Sequence, residues 1–185
     1  MLTRQETQQL RAATLFSIPV PQPALVAAGE AAAMQEPGAA IERLRGLGLI
    51  DLYLSADAQE QLAINPLARP LAPTLEEADA ARLAGKAIIL LYSSWKDEDR
   101  GLPADRRGLE AARLALLGQA PPGIVNASAL AGTVYLFHVL HEAQPALDLV
   151  LAALPALDRA KAAPVSIPLL LRPLQPAPRS CSSWA

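Results

Sequence analysis

The sequence is poor in the residues that catalysis and metal binding recruit. Cys181 is its one cysteine, so no internal disulfide framework can form, and a lone thiol fits a reducing, cytoplasmic compartment. Its two histidines, His138 and His141, stand three apart with Glu142 beside the second. That order is not the His-Glu-x-x-His of a zinc protease, and no further histidine exists to complete a ligand set. Gly85-Lys86-Ala87 lacks both the upstream glycine spacing of a phosphate loop and the Ser or Thr that follows its lysine. Ser93-Ser94, Ser128 and the serines at 180, 182 and 183 have no Gly-x-Ser-x-Gly context. Asp97, Glu98 and Asp99 fall in a charged loop, where carboxylates are usually just solvated. No enzyme, cofactor or metal site is therefore expected.

Other shortages bear on partners. The net charge is −2, so nothing in the total marks a nucleic-acid or membrane surface. Residues 1–20 carry Arg4, Glu6 and Arg11 with no long apolar centre, unlike a signal peptide. Clean apolar runs such as 87–92 fall far short of the roughly 20 residues a spanning helix needs. Aromatics make up only 4% of the chain against 52% hydrophobic residues overall, a balance rich in Ala and Leu that favours helices over a β-sandwich.

The most informative stretch is 36–71, EPGAAIERLRGLGLIDLYLSADAQEQLAINPLARPL. Pro37 suits a first helical turn, and Ile41, Leu44 and Leu47 repeat along one helical face. Glu42, Arg43 and Arg45 fall mainly off that face, and Gly46 and Gly48 close the helix. The period then changes to two. Ile50, Leu52 and Leu54 alternate with Asp51, Tyr53 and Ser55, as in a half-buried strand. Residues 55–60 turn the chain, Leu62 and Ile64 form the apolar face of a return strand, and Asn65-Pro66 ends it. Upstream, a helix is expected over 3–15, then a Pro-punctuated link, LFSIPVP, then a helix over 24–34 opened by Pro23. Three helices followed by a hairpin is the order of a winged helix-turn-helix.

These segments resemble a known family. LFSIPVPQPALVA, AAIERLRGLGLI and INPLARPL are similar to the winged-helix region behind the nucleotide-binding core of STAND-class (NB-ARC-like) NTPases, over about residues 10–75. The matching residues are Leu15, Phe16, Pro19, Val20 and Pro21; Leu44, Leu47, Gly48 and Leu49; and Pro66, Leu67 and Arg69. Asn65 stands where the family often has a histidine that in some members contacts nucleotide, so nucleotide sensing is not implied. The resemblance implies a winged helix followed by a helical, tetratricopeptide-like array. The ATPase would lie on residues upstream of this chain, which would then be a portion of a larger signalling regulator.

Downstream, Thr74 and Glu77 match a capping box for a helix running to about Trp95, with Leu75, Ala78, Leu83, Ala87, Leu90 and Leu91 available for burial. A helix from Pro103 or Ala104 turns Leu109, Ala112, Leu116 and Leu117 inward. Pro121-Pro122 stops it. A third helix capped by Asn126 or Ser128 reaches about Glu142, and a fourth opens at Pro145 and ends near Lys161. No 34-residue self-match is present, so the array is read as repeat-like helical hairpins. From Ala163 five prolines and no acidic residue make a Pro-rich irregular tail, in which Leu169-Leu170-Leu171 has the character to dock on the helices.

The expected architecture is thus mainly α: a winged-helix domain over 1–72, a helical-hairpin array over 73–162 and a tail over 163–185. The expected role is a non-catalytic regulatory or protein-interaction module with a protein partner. Tyr92, Trp95, Trp184, Arg106 and Arg107 are candidate contacts, since Trp and Arg are enriched at binding hot spots. Tyr92 and Trp95 serve equally well as covers of the core. The competing reading is a stand-alone DNA-binding transcriptional regulator contacting DNA through Arg43 and Arg45. Against it, the hairpin carries Asp51, Asp57 and Glu60 and no Lys or Arg to neutralise phosphate.

Overall fold

The computed structural model describes residues 1–55 and 58–162, with the backbone alone described at 157 and 159–162. The expected tail, with Trp184 and Cys181, and Asp57 of the hairpin lie outside the described residues.

The fold is mainly helical with one small antiparallel sheet. Helix α1 spans Arg4–Ala13, α2 Gln22–Ala31 and α3 Pro37–Gly46. Strands β1, Ile50–Leu54, and β2, Glu60–Ile64, pair with Ile50 opposite Ile64 and Leu54 opposite Glu60. Then come α4, Glu77–Trp95, α5, Arg106–Leu117, α6, Pro122–Val134, a π-helical turn, Tyr135–Val139, and α7, Ala143–Ala162.

Local chemistry explains most boundaries. The capping box is at the first helix: Thr3 accepts from the Glu6 N–H, and Glu6 accepts from the Thr3 N–H. Pro37 and Pro122 occupy first helical turns, where their missing N–H costs nothing. Asp105 caps α5 through the Arg107 N–H. Gly48, at φ +69°, supplies the left-handed residue between α3 and β1.

Three expectations are corrected. Thr74 does not cap α4; the N-cap is Glu76, with no side-chain cap, and the Thr74 carbonyl instead accepts from Arg11 Nε at 2.9 Å. Asn126 and Ser128 do not open the third downstream helix. Pro121 and Pro122 do, because a proline pair that ends one helix also suits the first turn of the next. The alternation in β1 does not bury three residues: Ile50 is buried, but Leu52 and Leu54 are exposed. Only Ile50 of β1 reaches the core, whereas β2 buries both Leu62 and Ile64, so the two strands of the hairpin are unequally covered. Val20, in the link between α1 and α2, bridges the other edge of β2 at Leu62 and fixes the hairpin's base.

The buried cluster is continuous from Leu10 to Ala156. Leu44, Ile41 and Leu25 centre it under α1–α3, and Leu83, Ile88, Leu91 and Leu114 under α4–α5. The two ends meet where α2 packs on α4 and where Arg11 pairs with Asp79 at 3.2 Å. From α4 onward each helix packs on the next. Two glycines set the crossings. A methyl on Gly118, at the end of α5, would strike the Gly85 backbone N in mid-α4, while Trp95 and Arg107 line one cleft at the opposite end. Gly132, near the end of α6, faces the Leu109 Cα at the start of α5 and Leu149 near the start of α7. Successive helices therefore run back along one another. Among the described residues no helix is long and apolar enough to cross a membrane.

Candidate interaction surface

Among the described residues, the link after α1 is held by side chains from several distant segments. Thr14, Leu15, Phe16 and Ser17 leave the helix with carbonyls and an amide that no regular element pairs. Side chains from distant segments take them up. Arg69, just past the hairpin, donates from Nη1 to the Thr14 carbonyl at 3.4 Å and from Nη2 to the Phe16 carbonyl. Arg113 on α5 donates from Nη2 to the Leu15 carbonyl at 2.6 Å. Glu110, one turn earlier, accepts from the Ser17 amide at 2.9 Å and from the Ser17 hydroxyl. Arg113 also grips Glu110 with two bonds, Nε to Oε2 at 2.8 Å and Nη2 to Oε1 at 2.7 Å.

Glu110 is only 3% exposed, so its charge needs this company. Burial pushes its carboxyl pKa up. The bonds from Arg113 and from the Ser17 hydroxyl and amide outweigh burial and hold it below the ordinary carboxylate range. The ionised group is thus an acceptor saturated by four donors and fits a structural clamp between α5 and the link. Glu6 is a second buried carboxylate. The Thr3 N–H and the Arg43 guanidinium hold its pKa below the ordinary value against the opposing effect of burial.

Beside the Glu110 clamp lies an open groove of about 570 Å³. Ile18, Leu109, Tyr135 and Leu140 give it an apolar floor, and Arg106 and Arg113 stand on its rim. The π-helical turn shapes it. The Leu140 N–H reaches the Tyr135 carbonyl at 3.1 Å across the wide turn, which places both side chains on the groove. His141, at φ +58°, then reverses the chain into α7. Arg106 is exposed and makes no ion pair or side-chain hydrogen bond among the described residues.

The expected contact residues are dispersed. Arg106 lines this groove. Arg107 turns away, donating from Nη2 to Asp105 at 2.8 Å, and shares a separate cleft with Trp95. Trp95 is 7% exposed and belongs to the core rather than to an open surface. Tyr92 is half-buried, with Lys96 Nζ 5.7 Å from its ring centroid. Arg43 and Arg45 sit two residues apart on α3, so they point to different sides of the helix. Arg43 binds the Glu6 carboxylate, and Arg45 binds Glu42 at 3.0 Å. Neither is a free cation.

Glu110, Arg113 and Ser17 were not singled out from the sequence. A signal for the first two existed: Glu110 shares a helical stripe with Ala111, Leu114 and Ala115, where only a paired carboxylate is tolerated, and Arg113 follows at i+3. Ser17 carried none, since its partner lies 93 residues away. Comparison with protein-family models, curated proteins and solved structures finds no match.

Proposed function

We propose that the chain is a non-catalytic protein-interaction module. Its first part is a winged helix acting as a docking arm, and its helical array presents the Tyr135–Leu140 groove to a segment of a protein partner. The observation that carries this reading is the groove: an apolar floor, a preformed wall fixed by the Glu110 clamp, and on its rim Arg106, which has no ion-pair partner among the described residues. Such a site suits an apolar side chain flanked by a carboxylate.

The relation to the STAND-class winged helix has support of its own. Two of the resembling phrases meet in space, with Arg69 of INPLARPL bonded to the carbonyl of Phe16 in LFSIPVP, 53 residues earlier, and to that of Thr14 just before the phrase. In this reading the link and the wing base form a rigid hinge-point through which an upstream nucleotide-driven switch moves the array.

The competing reading, a DNA-binding regulator, asks Arg43 and Arg45 to leave Glu6 and Glu42 for phosphate, next to a hairpin exposing Glu60. A gel-shift titration against salt decides between them. No complex is expected at physiological ionic strength. A complex that survives there, and is lost in the Arg43→Glu/Arg45→Glu variant, overturns the interaction-module reading.

A further inference from the structure

The two-stranded sheet has one bonded edge and one bare edge. Hydrogen-bonded pairs alternate along an antiparallel ladder. The Ser55 N–H donates to the Gln59 carbonyl at 2.9 Å and the Asn65 N–H to the Leu49 carbonyl at 2.9 Å, so the odd-numbered residues of β1 aim their backbone groups at β2. Those of Leu52 and Leu54 therefore point outward. The same parity turns Leu62 of β2 to the opposite edge, where Val20 accepts from its N–H at 2.7 Å and donates to its carbonyl at 2.9 Å. Nothing does this for β1: among the described residues the N–H and C=O of Leu52 and Leu54 have no hydrogen-bond partner. The side chains of Leu52, Tyr53 and Leu54 are exposed by 39–70%. Edge strands are ordinarily blunted by a Lys, a Pro or a bulge. β1, IDLYL, has none of these, and its register with β2 is unbroken.

We propose that this edge pairs with the same edge of a second copy of the chain, antiparallel about a two-fold axis at Tyr53, joining the two hairpins into one continuous sheet. The strand is self-complementary in that register. Leu52 lies opposite the partner's Leu54, and Leu54 opposite the partner's Leu52. Each such pair exchanges both of its outward N–H···O=C bonds. The leucines form one apolar cluster on one face of the sheet. On the other face Tyr53 meets the partner's Tyr53 across a close, non-hydrogen-bonded pair, and Asp51 lies opposite the partner's Ser55. The Ser55 hydroxyl accepts from the Gln59 N–H at 3.1 Å, which leaves its proton to donate to that carboxylate. An axis at Asp51 would instead set like charges face to face. An axis at Leu52 would need the outer backbone groups of Ile50, which is buried. Such an isologous contact closes on itself, so both β1 edges are consumed and neither is left to recruit further strands. The edge uses none of the residues that line the Tyr135–Leu140 groove.

Sedimentation velocity of the full chain over a concentration series provides the test. A reversible monomer–dimer equilibrium is expected, with the dimer predominant at about 100 μM. Leu54→Pro removes an outward N–H and no bond to β2, so this variant should keep the native fold and dimerise with at least about tenfold lower affinity. Leu54→Lys, at an exposed side chain, blunts the edge without touching the backbone and should do the same. In a Cys181→Ser background, Tyr53→Cys should form an interchain disulfide about tenfold faster or more than Ser93→Cys, an exposed position on α4. A chain that stays monomeric at about 100 μM overturns the proposal. So does a dimer of undiminished affinity in both Leu54 variants, which would put the interface elsewhere. Equal disulfide rates in the two cysteine variants overturn the pairing at Tyr53.

Discussion

Replacing Glu110 by alanine strands the Ser17 amide and leaves Arg113 without its carboxylate. A hydrogen bond to a charged group contributes about 1.5–3 kcal/mol, and Arg113 is partly solvated, so a loss of about 2 kcal/mol is expected at neutral pH. The effect depends on pH in a definite direction. The carboxyl pKa is depressed in the folded state, so the unfolded chain takes up the proton first as pH falls. The Glu110 contribution is complete above the ordinary glutamate value of 4.5 and is lost as pH drops through the lowered folded value. Denaturant titrations of the native chain and the Glu110→Ala variant should differ at pH 7 and converge under strong acid. A gap that stays constant with pH would mean that Glu110 acts by shape, not charge. At this scale the sequence was partly legible. The apolar residues Ile41, Leu44, Leu62 and Ile64 were assigned to the core from their spacing and are buried. The polar ties were not, because Ser17–Glu110 and Arg69–Phe16 join positions that only the tertiary fold brings together.

At the scale of elements, period and punctuation carried the reading. Each expected helix and both strands are present, with ends displaced by a few residues where a capping signal had a rival. α4 begins past Thr74 with Glu76 as its N-cap and no side-chain cap, and Pro122, expected only to end a helix, stands in the first turn of α6. The π-helical turn had no sequence signature, since one extra residue in a turn leaves the apolar period nearly unchanged. Helix crossings were equally hidden, because closeness of approach depends on which glycine meets which backbone. Gly118→Ala tests one of them. The new methyl would meet the Gly85 backbone, which cannot rotate aside, so α4 and α5 must separate. A loss of about 1–3 kcal/mol is expected in a denaturant midpoint measurement, whereas Gly123→Ala, where a Cβ meets open space, should change stability little.

For the whole molecule, the link between α1 and α2 matters most. It is bonded from one side by Arg69 beyond the hairpin and from the other by Glu110 and Arg113 on α5. Side chains from both parts of the chain therefore hold one four-residue segment, and the buried cluster runs through both. The mainly helical character was legible in the Ala- and Leu-rich composition. The groove was not, because Ile18, Arg106 and Leu140 converge only after α5 and the π-helical turn have packed. A photo-crosslinking residue placed at Arg106 tests the interaction-module reading most directly, with the chain expressed in its own cells. The expected result is one dominant crosslinked polypeptide, reduced by about tenfold or more when Leu140→Asp removes the groove's apolar floor, while the variant's melting temperature stays near that of the native chain. The same crosslinked polypeptide recovered at undiminished yield from the Leu140→Asp variant, or no polypeptide from either, would contradict the groove as the site of partner recognition.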